Sequence, residues 1–204
     1  WRMLAWLAKV PGMLWVMEKA YNGFLPVRPK IQRFILKFDT SHLPPTLVAD
    51  IRTDHAGETG AVWIYKGILA VSNDPEIRTF SSEHLQTEQR HLNAMNELLP
   101  VFRRSWLLVP WRIAGFITGA LPVLFGQAAV YRTIAAVETF VNLHYQEQIE
   151  KLNALGTHQA LKAQLIEFQM DECAHRDEAV AKTTKPGGLF ARLWVGASGT
   201  GSKV

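Results

Sequence analysis

Two short runs in this chain have residue types and spacing that could do chemistry: Thr87-Glu88-Gln89-Arg90-His91 and Asp171-Glu172-Cys173-Ala174-His175. In each, a Glu is followed three residues later by a His. At 3.6 residues per turn such a pair shares one helix face and can grip a metal ion. One Glu-x-x-His is common by chance. Two copies, each preceded by a segment with a lone inward Glu, are much rarer: Glu58 lies 30 residues before Glu88, and Glu138 lies 34 before Glu172. The order Glu, Glu-x-x-His, Glu, Glu-x-x-His is the ligand set of a four-helix bundle with a carboxylate-bridged di-iron or di-manganese centre. Four carboxylates and two imidazoles suit hard to borderline metals, and the charge of four carboxylates balances that of two divalent ions. Zinc fits less well, because its protein sites usually need four or fewer ligands.

Each residue taken alone has a plainer reading. A Glu is usually a helix surface residue, and a lone His usually a core or capping group. All four Glu, however, fall on the apolar stripe of their own segment, and His91 and His175 each have a Glu at i−3. Asp171 is placed either to accept a bond from a ligand His or to stand in solvent. Asp54 and His55 sit one turn from Glu58 and suit a hydrogen-bonding role. His84 and His144 lack an i−3 Glu and stand as substrate-side or supporting candidates.

Four amphipathic helices must carry these residues. The first is predicted over about 47–71, with Ile51, His55, Glu58, Val62, Tyr65 and Leu69 inward. Gly57 and Gly60 flank Glu58 and serve either close access of a ligand or close helix packing. Asp74 and Pro75 mark the start of the second helix, which turns Ile77, Phe80, His84, Glu88, His91, Met95 and Leu98 inward. The third is predicted over 127–155 with Val130, Ile134, Val137, Glu138, Val141, Tyr145, Gln148 and Leu152 inward. Gly156 is its expected C-cap and Thr157 the N-cap of the fourth, whose stripe is Leu161, Leu165, Phe168, Glu172, His175 and Ala179. No internal repeat or low-complexity tract stands out.

Nineteen uncharged residues lie between Arg112 and Arg132, long enough on count alone to span a membrane. One crossing there would put Glu58, Glu88 and His91 on one side and Glu138, Glu172 and His175 on the other, and no shared site could form. Pro122, Gly115, Gly119 and Gly126 also interrupt the stretch, and Pro110 stands just before it. It reads instead as a long, apolar, kinked crossover between the second and third helices, dipping into one leaflet. Trp106, Leu107, Leu108, Trp111, Phe116, Leu121 and Phe125 would form its apolar face, with Arg103, Arg104 and Arg112 suited to headgroups.

The 204 residues suffice for one sizeable core. Cys173 is the only cysteine, which excludes an internal disulfide and a Cys-based zinc or iron–sulfur site. The net charge of +4 points to an anionic partner. Basic residues crowd the first forty positions among Trp and Leu, a mixture that suits a membrane surface rather than nucleic acid. The expected organisation is a basic amphipathic segment and linker over 1–46, a metal-binding bundle over 47–185, and an apolar tail over 186–204 that ends as if truncated. The chain also begins without a methionine, as if its start were missing.

The run Asp54-His55-Ala56-Gly57-Glu58-Thr59-Gly60-Ala61, with Glu88-Gln89-Arg90-His91-Leu92, Val137-Glu138, His144-Tyr145 and Asp171-Glu172-Cys173-Ala174-His175-Arg176-Asp177, resembles the demethoxyubiquinone hydroxylases. The similarity covers roughly residues 47–182. It implies an all-α, ferritin-like bundle with membrane-surface helical segments, and a di-iron centre held by Glu58, Glu88, His91, Glu138, Glu172 and His175. His144 and Tyr145 would lie beside that centre as catalytic candidates. The implied activity is a monooxygenase of ubiquinone biosynthesis that hydroxylates the ring of a polyprenyl benzoquinone, with dioxygen as co-substrate and an external two-electron donor. The implied location is the surface of one leaflet, on a bacterial cytoplasmic face or the matrix side of the mitochondrial inner membrane. Implied partners are the quinone, the membrane, and other ubiquinone-biosynthesis proteins or a second copy of the chain. Two rivals are a quinol oxidase of the alternative-oxidase type and a non-catalytic quinone- or lipid-binding protein. Iron storage is a third, opposed by the apolar crossover.

Overall fold

The computed structural model describes residues 43–183, together with Lys19, Asn22, Gly23 and Pro26. The expectations for the basic N-terminal segment and for the tail over 186–204 lie almost wholly outside the described residues. Within them the chain is all-helical: α1 (Pro45–Val71), α2 (Pro75–Leu98), a 3-10 turn (Val101–Arg103), α3 (Leu108–Val123), α4 (Gln127–Leu155) and α5 (Gln159–Ala181).

Local chemistry sets the helix ends. Pro45 occupies the first turn of α1, where its missing N–H costs nothing. The Asp74 carboxylate accepts from the N–H groups of Glu76 and Ile77 at 2.9 and 3.2 Å and so caps α2. Gly156 closes α4 at φ 66°, a left-handed conformation that costs glycine little. Thr157 is not the cap of α5. His158 holds that position at φ 56° without a side-chain cap bond, so the turn out of Gly156 is completed one residue later than the sequence implied.

Two apolar clusters give the directions of the four bundle helices. One gathers Leu47 and Ile51 from the start of α1, Met95 from the end of α2, Leu152 from the end of α4 and Leu165 from the start of α5. The other gathers Ile68, Ile77, Val130 and Ala179 from the opposite ends. Helices α1 and α5 therefore run one way and α2 and α4 the other. The chain must travel back along the bundle between α2 and α4, and α3 makes that journey beside α1. Its 16 residues span about 24 Å at 1.5 Å per residue.

Glycines let α3 lie against the α1 backbone. A Cβ on Gly115 would sit 2.6 Å from the Gly60 carbonyl oxygen, and one on Gly119 would collide with the Ile64 carbonyl. Gly60 is thus a packing residue: a Cβ there would lie 2.8 Å from Trp111 Nε1. Gly57 has no such neighbour within 4 Å. Cover from α3 also widens the buried face of α1, so that Ile68 enters the core and Leu69 stays half-buried. At the end of α2, Leu99 rather than Leu98 is buried.

No helix among the described residues is long and apolar enough to cross a membrane. The outward face of α3 differs from the one expected. Trp111, Phe116 and Leu121 are half-buried, and Phe116 meets Trp63 edge-on. The exposed stripe is Val109, Ile113 and Ile117, continued past the helix end by Leu124 and Phe125 and preceded by Leu107 and by Trp106, which is 93% exposed. Arg104 turns back instead of outward and donates to the Asn96 and Leu99 carbonyls at 3.2 Å, capping the end of α2.

Candidate metal centre

Between the two apolar clusters lies a layer of six buried polar side chains. Glu58 comes from α1, Glu88 and His91 from α2, Glu138 from α4, and Glu172 and His175 from α5. The sequence marks every one of them by spacing and by a place on an apolar stripe, and the fold brings all six together. Ligand-type atoms of Glu58, Glu88, His91 and Glu172 lie within 4.8 Å of one another, and so do those of Glu88, Glu138, Glu172 and His175. Glu88 and Glu172 belong to both groups. Each Glu-x-x-His run thus places its Glu between the groups and its His at one outer end.

The layer is short of hydrogen bonds. Glu58 Oε2, both carboxylate oxygens of Glu88, Glu138 Oε2, Glu172 Oε2 and His175 Nδ1 are buried without a hydrogen-bond partner. His175 Nδ1 and Glu88 Oε1 lie 3.1 Å apart but out of line for a hydrogen bond. Burying an unpaired carboxylate costs several kcal/mol, roughly, after relaxation, so this arrangement needs either added protons or cations. Donors that are all carboxylate oxygen or imidazole nitrogen, facing one another at these separations, fit two divalent ions of hard to borderline character.

A ring of further residues holds the six in place. The Tyr145 hydroxyl donates to Glu58 Oε1, and the Tyr65 hydroxyl donates to Glu138 Oε1 at 2.9 Å. His91 directs Nδ1 to Glu172 Oε1 at 3.1 Å and Nε2 to Asp171 Oδ2 at 3.0 Å. Arg90 donates to the same Asp171 oxygen at 3.0 Å. Asp171 therefore serves the His of the opposite helix, not His175 on its own. The ring of His84 stacks on His175, and that of Phe168 stacks on His91, each with centroids 4.0 Å apart.

These contacts obey an approximate two-fold relation. Tyr65 and Tyr145 each lie seven residues after a lone Glu and each bonds to the other helix's Glu. His84 and Phe168 each lie seven residues before a Glu-x-x-His histidine and each stacks on the opposite one. No repeat is visible in the sequence at large, yet an offset of 80 residues relates α1 to α4, and one of 84 relates α2 to α5. Tyr65 was placed on an inward stripe without a role; the matching seven-residue spacing is the signal that could have found it.

Of the two catalytic candidates, only Tyr145 touches the layer. His144 Nε2 instead lies 3.2 Å from Asp54 Oδ1 and 2.9 Å from Gln148 Nε2. His55 pairs with Asn96 at 3.1 Å. His84 links Tyr65, at 3.2 Å, to Glu178, at 3.0 Å.

Burial pushes Glu88 and Glu138 well above the ordinary carboxylate range, and the neighbouring Glu172 adds to both shifts. Burial raises Glu172 as well. Burial alone would lower His91, but its hydrogen bond to Glu172 and the Glu58 carboxylate 3.7 Å from Nδ1 outweigh this and hold it at about 11. Burial would lower His175 too, but the Glu88 carboxylate 3.1 Å away raises it. His84 runs opposite, lowered to about 4 by burial and then by His175.

Comparison with known proteins points in one direction. The family model described as ubiquinone biosynthesis protein COQ7 matches residues 46–204. A 3-demethoxyubiquinol 3-hydroxylase of Rhodospirillum rubrum is 35% identical over 157 residues, 76% of this chain and 73% of that protein. A mitochondrial NADPH-dependent 3-demethoxyubiquinone 3-hydroxylase of Dictyostelium discoideum is 38% identical over 128 residues, 61% of this chain. The human protein of the same description is 34% identical over 131 residues, 62% of this chain. The chain spans 59% and 60% of the length of these last two relatives.

Without metal, the raised groups bind protons in the folded protein that the unfolded chain releases. Their contribution to stability is full below the unfolded values, about 4.3 for Glu and about 6.5 for His, and is lost as pH rises through the folded ones. His84 opposes this only between about 6.5 and about 4, where its contribution is lost as pH falls. Loading with a divalent metal replaces those protons. The rise in Tm on loading should therefore be larger at pH 8 than at pH 5.5, with protons released into a weakly buffered solution. Scanning calorimetry at the two pH values checks this; an equal or smaller rise at pH 8 contradicts it.

Proposed function

This chain belongs to the COQ7 family of ubiquinone biosynthesis proteins, and on that premise we propose that it hydroxylates the ring of a polyprenyl benzoquinone at a di-iron centre. Glu58, Glu88, His91, Glu138, Glu172 and His175 would hold the metals. The observation that carries this reading is the shared membership of Glu88 and Glu172 in both groups of facing donor atoms. A carboxylate set between two cation positions can bridge them, which a single-metal site has no use for.

Bound there, two irons would supply the activation of dioxygen. The chain's own residues do the positioning. Tyr145 and Tyr65 each hold one oxygen of a lone Glu, leaving Glu58 Oε2 and Glu138 Oε2 without a hydrogen bond. Asp171 fixes the ring of His91 so that Nδ1 faces Glu172. Phe168 and the cluster around Leu165 and Met95 exclude water from one end of the layer, and Phe80 and Ile134 do so from the other. In the overall reaction a ring C–H becomes C–OH with one oxygen atom, and the second leaves as water with two electrons and two protons. The relatives named NADPH-dependent support a reduced nicotinamide as the source of those electrons.

A quinone with an isoprenoid tail stays in the bilayer, so its enzyme must come to the lipid. The stripe of Val109, Ile113, Ile117 and Leu124, with Trp106 and Leu107, would enter one leaflet of the membrane. Of the two locations the resemblance implies, the relatives named mitochondrial support the mitochondrial one.

Two outcomes are expected. Glu138→Gln keeps volume but removes one negative charge, leaving an uncompensated buried charge in the loaded site. It should lower iron content and abolish incorporation of labelled oxygen into the quinone, with helix content unchanged; hydroxylation near the wild-type rate would show that Glu138 is no ligand. Quinol oxidised to quinone with all the label recovered in water would place the protein with the quinol oxidases instead. For membrane docking, the double change Ile113→Lys and Ile117→Lys should abolish flotation with liposomes without altering iron content. Unchanged flotation would remove this face from the membrane account.

A further inference from the structure

The two-fold relation fails at one functional pair, and the failure distinguishes the two metal positions. His91 Nε2 meets Asp171 at 3.0 Å, and Arg90 pins that carboxylate at 3.0 Å. Asp171 immediately precedes the Glu of its own Glu-x-x-His run. The residue at the corresponding place in the other run is Thr87. It has no carboxylate to offer, and no group among the described residues hydrogen-bonds His175 Nε2. The stacking partners differ as well. His91 lies on the apolar ring of Phe168, whereas His175 lies on His84, whose own nitrogens are committed to Tyr65 and Glu178. The lone Glu residues do not share this inequality, since each accepts from one tyrosine.

A carboxylate behind a ligating imidazole fixes its tautomer and ring orientation and makes it a stronger donor; losing such a partner typically costs about 10–100-fold in metal affinity. We infer that the two positions are unequal and load in order: the one served by Glu58, Glu88, His91 and Glu172 fills first and holds its metal tightly, and the one served by Glu88, Glu138, Glu172 and His175 fills second and exchanges. This rests on the reading of the six residues as a two-metal site. Asp171 is a positioning residue in this scheme, acting through His91, and Thr87 marks the place where its counterpart is missing.

The test is a titration of the metal-free full chain with Co(II), followed by visible absorption and by calorimetry, so that no turnover is needed. Two binding steps are expected, separated by about tenfold or more in Kd. Asp171→Asn should weaken the first step by about 10–100-fold and draw the two together. Thr87→Asp supplies the missing carboxylate at a half-buried position and should tighten the second step while leaving the first in place. Two steps of equal affinity overturn the inference but keep the two-metal reading. So does an Asp171→Asn protein, folded by circular dichroism, with both constants unchanged. A chain that binds one Co(II) or none overturns both.

Discussion

Four carboxylates confined to one dry layer are the constraint on which the rest of this fold depends. Each would cost several kcal/mol, roughly, if left charged and alone in such a place. Together they repel one another, and burial with mutual charge raises Glu88 and Glu138 well above the ordinary range and raises Glu172 as well. Helices that met through this layer alone would separate. Two apolar clusters, one above and one below, hold them together, and side chains such as Ile51, Met95, Leu152, Phe80 and Ile134 supply the burial that offsets the layer's cost. The stability of the bundle and the reactivity of its centre are thus set in separate strata of the same helices.

The two-fold arrangement follows from that need. A second pair of helices with the same spacing of Glu, Tyr and His places compensating donors from both sides: Tyr65 reaches across to Glu138, and Tyr145 to Glu58. Helix α3 lies outside this symmetry. It exists because α2 and α4 run in the same direction, so the chain must be carried back. Glycines at 115 and 119 let it do so in close contact with α1. That placement leaves an outward apolar stripe of Val109, Ile113 and Ile117.

Much of this was legible in the sequence because helical periodicity is a strong signal where polar residues interrupt an apolar stripe. Glu58, Glu88, Glu138 and Glu172 stood out for that reason, and Asp74 and Gly156 announced helix ends through side-chain and backbone chemistry that acts within a few residues. What was not legible depended on partners distant in sequence. Trp111 and Phe116 look alike to Ile113 and Ile117 in composition, and only the position of α1 decides which are covered. The role of Gly60 was open until Trp111 was seen against it. Asp171 could be read as a supporting acceptor, but that it serves His91 rather than His175 follows from how α2 and α5 face each other.

The central claim is that this layer is built for two metal ions bridged by Glu88 and Glu172. Anomalous diffraction at the iron edge from crystals grown with anaerobically loaded protein tests it most directly. The account predicts two peaks per chain, about 3.5–4 Å apart, each contacted by both Glu88 and Glu172. A single peak, or two peaks with neither carboxylate between them, would contradict it.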